Sequence, residues 1–141
     1  MFFRTKYPDL HQIPGKVTYV GQKEIDTTVE ITQYSGENYT YSKVDDIASL
    51  STFAQSENTS WISVKGLNNT AVIKQLGESF HIHPLTLESV VNTQQRPKIE
   101  ENENYIFLSL KIPYYGENNK FNTEHFGLIL RDKLIISFQE V

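Results

Sequence analysis

The change in hydrophobic spacing along the chain constrains its fold more than any other feature. Residues 28–33 alternate apolar with polar side chains, which is the two-residue period of a half-buried strand. The apolar spacing widens to about three residues over residues 44–53, and residues 69–80 place their apolar side chains on one helical face, so two helices are predicted. The two-residue period returns after Pro97. Strands interrupted by helices and followed by a strand-rich end predict an α/β fold.

The strand signals predict a mixed parallel and antiparallel sheet flanked by helices. They lie near residues 17–19, 28–33, 39–41, 61–64, 98–99, 105–112, 123–130 and 134–139. Residues 105–112 are apolar on both faces, which predicts a central strand. The tight link at residues 131–133 predicts that the chain ends in an antiparallel meander. Trp61, Tyr105, Phe107 and Phe138 are expected to fill the core.

Composition excludes several classes of protein. A chain of 141 residues suits one domain with a single core. Its 13 basic and 17 acidic residues include no basic block, so we expect no nucleic-acid partner. It has no cysteine, which excludes disulfides, thiolate metal sites and cysteine nucleophiles. We find no apolar segment long enough for a signal peptide or for the about 20 residues of a membrane-spanning helix.

The most unusual local chemistry lies in the stretch from Phe80 to Pro97, FHIHPLTLESVVNTQQRP. Pro84 suits the first turn of a helix, and His83 before it can cap that helix. The helix is expected to bury Leu85, Leu87, Val90 and Val91. Pro97 disfavours helix at the preceding residue, so a strand is predicted to begin near Lys98. In the preceding helix, Gly77 indicates close packing.

Several short motifs recur in one order along the chain. They are Pro14-Gly15, Tyr19-x-Gly21, Tyr34-Ser35, Trp61-Ile62, Ile82-His83-Pro84-Leu85, Gln95-Arg96-Pro97-Lys98, Tyr105-x-Phe107, Leu110-Lys111 and Ile136-Ser137-Phe138-Gln139-Glu140. In order and spacing, residues 14–141 resemble the amino-terminal cytoplasmic domain of CorA-type magnesium transporters. Residues 1–15 are polar, include two prolines and show no clear period, which predicts a flexible arm. The resemblance implies a regulatory domain over residues 16–141 that forms part of an α/β/α sandwich. Stalk helices and two membrane spans would follow Val141.

The same resemblance implies a function and a site. The domain would assemble as a homopentamer at the cytoplasmic face of the membrane, with regulatory magnesium bound between subunits. The family carries a Leu-Glu-Asp triplet whose acids take part in such cation sites, and this chain has Leu87-Glu88-Ser89. Glu88 and Ser89 are therefore the predicted metal ligands. Because Ser89 replaces a carboxylate with a hydroxyl, we expect weak magnesium binding.

Other residues suggest alternative sites. His81 and His83 have a spacing that can bind zinc, but we favour a capping histidine beside an exposed one, because the sequence offers no third zinc ligand nearby. Glu100, Glu101 and Glu103 could form a cation patch, but we favour a solvated acidic turn between strands, because neighbouring acids without complementary geometry repel one another. Arg96 could bind an anion, but we favour a structural ion pair or backbone contact that supports the turn.

Three classes of function remain open from the sequence. They are a transporter of this family, for magnesium or alternatively for zinc or cobalt and nickel, a stand-alone interaction module, and a metal-dependent hydrolase built on His81, His83 and Glu88. The chain has no nucleophile elbow, glycine-rich phosphate loop or HExxH motif, so we do not predict an enzyme.

Overall fold

The computed structural model describes residues 17–19, 21 and 25–140, with the Gln55 side chain excepted. Seven strands form one sheet and helices lie among them. The strands are β1 (Thr28–Ser35), β2 (Asn38–Lys43), β3 (Thr59–Lys65), β4 (Lys98–Glu101), β5 (Ile106–Tyr115), β6 (Phe121–Arg131) and β7 (Leu134–Gln139). The helices are α1 (Thr70–Phe80) and α2 (Pro84–Val91), with 3-10 helices at Ile47–Gln55 and Glu117–Asn119.

The strand order in the sheet is β2-β1-β3-β7-β6-β5-β4. β3 and β7 run parallel, with Ile62 opposite Ile136, and every other neighbouring pair of these strands is antiparallel. The predicted α/β class, mixed sheet and terminal meander β5-β6-β7 are therefore confirmed. The parallel pair lies in the middle of the sheet, which is where a strand gains most from a helical cover.

One face of the sheet holds the hydrophobic core. The strand register places Ile62 and Val64 of β3 on the same face as Ile136 and Phe138 of β7, and all four side chains are fully buried. The helices cover this face, because Ile73, Leu76 and Phe80 of α1 and Leu87, Val90 and Val91 of α2 belong to the same buried cluster. The core thus lies between the sheet and a single layer of helices.

The opposite face of the sheet is largely uncovered by the described residues. Large apolar side chains on this face remain partly exposed: Tyr34, Tyr39, Tyr41, Trp61, Ile99, Ile106, Leu110, Ile112 and Tyr114. The strand register puts them all on the Trp61 side of the sheet. The described chain therefore forms two of the three layers of the α/β/α sandwich that the resemblance implies.

This open face corrects two expectations. Trp61 is 40% exposed instead of filling the core, and its Nε1–H donates to the buried Ser137 Oγ at 2.9 Å. β5 was expected to be a central strand but is second from the edge of the sheet. Its apolar side chains Ile106 and Leu110 lie on the open face and are each 40% exposed, so apolar groups on both faces of a strand did not mark a central position here. The predicted core positions Tyr105, Phe107 and Phe138 are buried, as expected.

The ends of several elements also differ from the sequence prediction. Residues 17–19 form no strand, although Val17 is buried. The first helix begins at Ile47 instead of Val44, because Asp46 adopts an extended conformation and caps it by accepting from the Ala48 N–H at 3.1 Å. It is a 3-10 helix. The arm predicted over residues 1–15 lies outside the described residues. No helix in the described part of the chain is both long and apolar enough to span a bilayer.

Candidate cation site

The turn between α1 and α2 places the candidate site. α1 ends with His81 in the left-handed conformation (φ 55°), and the Ile82 N–H donates to the Gly77 carbonyl at 2.9 Å. Arg131 adds a second closure, because its Nη1 donates to the Phe80 carbonyl at 2.6 Å. These bonds satisfy carbonyls that a helix end otherwise leaves without partners.

The start of α2 is fixed from its own cap and from the sheet. The His83 Nδ1 accepts from the Leu85 N–H at 3.1 Å, so the predicted capping role is confirmed, with Pro84 in the first turn. The Tyr105 hydroxyl accepts from the His83 N–H at 3.0 Å and lies 2.8 Å from the Thr86 Oγ1. Tyr105 thereby ties the first turn of α2 to the sheet. Leu85 was expected to be buried but is 51% exposed.

The other end of α2 is held by two side chains that are opposite one another on neighbouring strands. His125 of β6 lies opposite Lys111 of β5. The His125 Nε2 lies 2.9 Å from the Val90 carbonyl, and the Lys111 ammonium donates to the Thr93 carbonyl. Burial lowers the pKa of both side chains. A neutral His125 that carries its proton on Nε2 can donate it to the Val90 carbonyl. The two donors thereby stabilise the C-terminal end of α2, where helix carbonyls otherwise lack partners.

The predicted ligands Glu88 and Ser89 lie on this well-anchored helix. Glu88 is half-buried, and Ser89 is 8% exposed. The Ser89 hydroxyl donates to the Leu85 carbonyl at 3.2 Å, which leaves its oxygen able to accept. Lys98 of β4 uses that oxygen, since its Nζ donates to the Ser89 Oγ at 3.1 Å and to the Glu100 Oε1 at 2.6 Å.

These side chains border a cavity of about 510 Å³. Its lining residues are His83, Leu85, Thr86, Glu88, Ser89, Asn92, Gln95, Lys98, Glu100 and Asn102. Most of these side chains end in oxygen or nitrogen, so the cavity is suited to a hydrated ion or to polar groups of another chain. Glu100 and Glu101 belong to β4 rather than to the predicted turn.

The two alternative metal groupings do not form within one chain. Over residues 17–19, 21 and 25–140, no three His, Cys, Asp or Glu side chains come close enough to hold a metal ion. His81 and His83 are both exposed and serve as the end of α1 and the cap of α2. A cation at Glu88 and Ser89 would therefore need further ligands from outside the described residues of one chain.

Sequence reasoning missed Lys98, Tyr105, Lys111 and His125 as partners of α2. One signal was available for Lys98, because residues two apart in a strand share a face and Lys98 precedes Glu100 by two. Nothing in the local sequence indicates that β5 and β6 approach the end of α2.

Solved structures share this fold. The soluble domain of CorA from Methanocaldococcus jannaschii matches with a TM-score of 0.56 and 18% identity over 83% of this chain and 41% of that chain. The full-length CmaX protein matches with a TM-score of 0.62 and 12% identity over 83% of this chain and 36% of that chain. By its fold, the chain is a domain of the kind found in the soluble part of CorA-type proteins.

Sequence comparison identifies the family. The family described as CorA-like Mg2+ transporter protein matches residues 56–140, which is more than half of the chain. The cobalt/magnesium transport protein CorA of Thermotoga maritima is 38% identical over 128 residues, which are 90% of this chain and 36% of that protein. The chain belongs to the CorA-like Mg2+ transporter family, and it spans about a third of the length of this relative.

Proposed function

We propose that this chain is the cytosolic cation-sensing domain of a CorA-like divalent-cation channel for magnesium uptake. The observation that carries the proposal is the family match together with Glu88 and Ser89 side by side on an anchored helix that borders a polar cavity. The domain would lie at the cytoplasmic face of the membrane in a homopentamer. Cations bound between neighbouring copies would favour the closed arrangement by their differential affinity for it.

The donor set suits a shared and partly hydrated ion. Magnesium is bound through one or two carboxylates and keeps several waters, so Glu88 with the hydroxyl oxygen of Ser89 fits half of such a site. The remaining protein oxygens would come from an adjacent subunit. Two unit charges about 4 Å apart interact by about 4 kcal/mol at an effective dielectric near 20. This figure is an upper bound on the binding energy that is lost because position 89 carries a hydroxyl instead of a carboxylate. Magnesium sensing would therefore be weaker than with two acids.

The uncovered face of the sheet supports the proposal that this domain is part of a longer protein. Apolar side chains such as Trp61, Ile106, Leu110 and Tyr39 leave a surface that a further layer of helices would bury. We propose that residues 16–141 form the regulatory domain after an arm at residues 1–15, and that stalk and membrane-spanning segments follow. The Thermotoga maritima relative, of which this chain matches 36%, has length for such segments.

Flux through the full-length protein tests the proposal. Reconstituted in liposomes, it should carry magnesium inward and slow as magnesium rises on the side that bears this domain. Glu88→Gln should leave the flux intact and weaken the inhibition, because only the sensing carboxylate is lost. Glu78→Gln, an exposed acid on α1, is the matched control. An absence of flux, or inhibition that is unchanged in Glu88→Gln, would contradict the proposal.

The 141-residue chain alone should associate weakly. One chain presents only half of the proposed site, so we expect a monomer or weak oligomer that binds magnesium feebly. Light scattering at micromolar concentration measures this, and a stable pentamer would count against the shared site.

Cobalt is the second candidate cargo, because the Thermotoga maritima relative is described as a cobalt/magnesium transport protein. Flux measured with each ion in turn distinguishes the two. The open apolar face also suits a stand-alone interaction module, and a coding sequence without hydrophobic segments after Val141 would favour that function.

A further inference from the structure

We propose that Lys98 is a built-in competitor for the cation at the Ser89 side of the candidate site. Its ammonium group holds oxygen atoms that a divalent cation would need, so the cation binds only by displacing it. Lys98 would thereby set the cation concentration to which the site responds. This inference rests on the proposed function, because it concerns the same site.

The contacts of Lys98 support this role. Its ammonium bridges the Ser89 Oγ at 3.1 Å and the Glu100 Oε1 at 2.6 Å, and it lies 5.9 Å from the centre of the Phe107 ring. The Lys98 side chain is 28% exposed and that of Glu100 is 42% exposed. A partly buried ammonium with two oxygen partners and an aromatic ring is held in one position more firmly than a surface lysine.

A divalent cation and this ammonium compete for one atom. The Ser89 hydroxyl already donates to the Leu85 carbonyl, so its oxygen can only accept, and Lys98 occupies one of its two lone pairs. Magnesium binds oxygen at about 2.0–2.1 Å, and the Lys98 Nζ lies 3.1 Å from the same oxygen, so the two cations would be at most about 5 Å apart. Like charges at that distance repel, and the ammonium must leave before the ion binds.

After displacement from Ser89, the Lys98 ammonium would still have other hydrogen-bond partners. Lys98 has a flexible stem and three donor hydrogens, so it can keep Glu100 or turn to water after it releases Ser89. Glu88, one residue from Ser89 on the same cavity, would be the carboxylate that attracts the incoming ion. Neutral residues at position 98 should therefore tighten divalent-cation binding by about tenfold or more, since like-charge repulsion is removed.

The test uses Mn²⁺ as a spectroscopic probe for a hard divalent site. Free Mn²⁺ is measured by electron paramagnetic resonance during titration of the full-length protein, with magnesium added afterwards to displace the bound ion. Lys98→Met and Lys98→Gln should both bind Mn²⁺ about tenfold tighter or more than the unmodified protein, and Lys98→Arg should not. Lys74→Met removes the same charge from an exposed position on α1 and should change nothing. Thermal unfolding confirms that each variant is folded.

Equal or weaker binding in both neutral variants would overturn the inference, as would an absence of binding in every variant. Glu88→Gln separates this failure from that of the proposed function. If Glu88→Gln abolishes Mn²⁺ binding while neutral residues at position 98 leave it unchanged, the site stands and the competition by Lys98 is wrong. If Mn²⁺ binding survives Glu88→Gln, the assigned site and the inference are both wrong.

Discussion

Gly77 lies where α1 packs against α2, and its replacement by alanine gives a sharp test of that packing. An added Cβ would lie 2.4 Å from the Leu87 Cδ1, whereas carbon atoms pack at about 3.5–4.0 Å. Both residues are buried but line a cleft of about 260 Å³, so Leu87 can avoid the added methyl group only by shifting its side chain within that cleft. Overpacking costs about 1–3 kcal/mol, and alanine regains about 1 kcal/mol of helix propensity. We expect Gly77→Ala to lower the free energy of unfolding by up to about 2 kcal/mol.

A double-mutant cycle isolates the contact. Leu87→Ala should cost about 2–5 kcal/mol and remove the atoms that Gly77→Ala meets. In that background Gly77→Ala should stabilise by about 1 kcal/mol, which gives a coupling energy of about 1–3 kcal/mol between the two positions. Urea denaturation followed by the fluorescence of Trp61 measures each variant. A coupling energy near zero would refute the close approach of α1 and α2.

Two further predictions concern the anchors of the helices. Burial lowers the pKa of His125 below its ordinary 6.5, so the unfolded chain protonates first, and the stability that is complete above pH 6.5 should decline as the pH falls. His125→Gln keeps a donor for the Val90 carbonyl and should flatten that decline in denaturation curves recorded across the range; an unchanged slope would rule out His125 as its source. Arg131→Met removes the donor to the Phe80 carbonyl and should cost about 1.5–3 kcal/mol in urea denaturation, whereas Asp132→Asn, at an exposed neighbour, should cost little.

Local chemistry predicted much of the fold. Pro84, His83 and the cap residue Asn69 occupy the helix positions that their backbone preferences favour, and the chain re-enters a strand directly after Pro97. The period of two identified the strands of the meander, and its short link set their antiparallel order. These features depend on a few neighbouring residues, which is why one sequence sufficed.

Burial was harder to predict, because it depends on which faces are covered. A strand with alternating apolar residues has the same sequence pattern whether or not a helix packs on its apolar face. The sequence therefore could not indicate that Trp61 and Ile106 lie on the open face. The helix predicted from Val44 starts at Ile47 because one side chain, Asp46, caps it. The cover of the sheet, a tertiary property, decided the first outcome, whereas a local cap between Asp46 and Ala48 decided the second.

In the candidate site too, local features could be predicted from the sequence and tertiary contacts could not. The position of Glu88 and Ser89 on a short capped helix could be expected from the sequence, whereas the ammonium of Lys98 on the Ser89 oxygen could not. That contact joins residues on separate elements, α2 and β4, which are connected by a polar turn. Whether Glu88 and Ser89 bind a cation remains a prediction.

Calorimetric titration of the full-length protein with magnesium tests the central claim most directly. We predict weak binding that Glu88→Gln abolishes and that Ser89→Asp strengthens, because a second carboxylate adds charge where the ion would bind. Magnesium binding that persists at full strength in Glu88→Gln would contradict the account. Binding that is lost in Ser89→Ala but kept in Glu88→Gln would also contradict it.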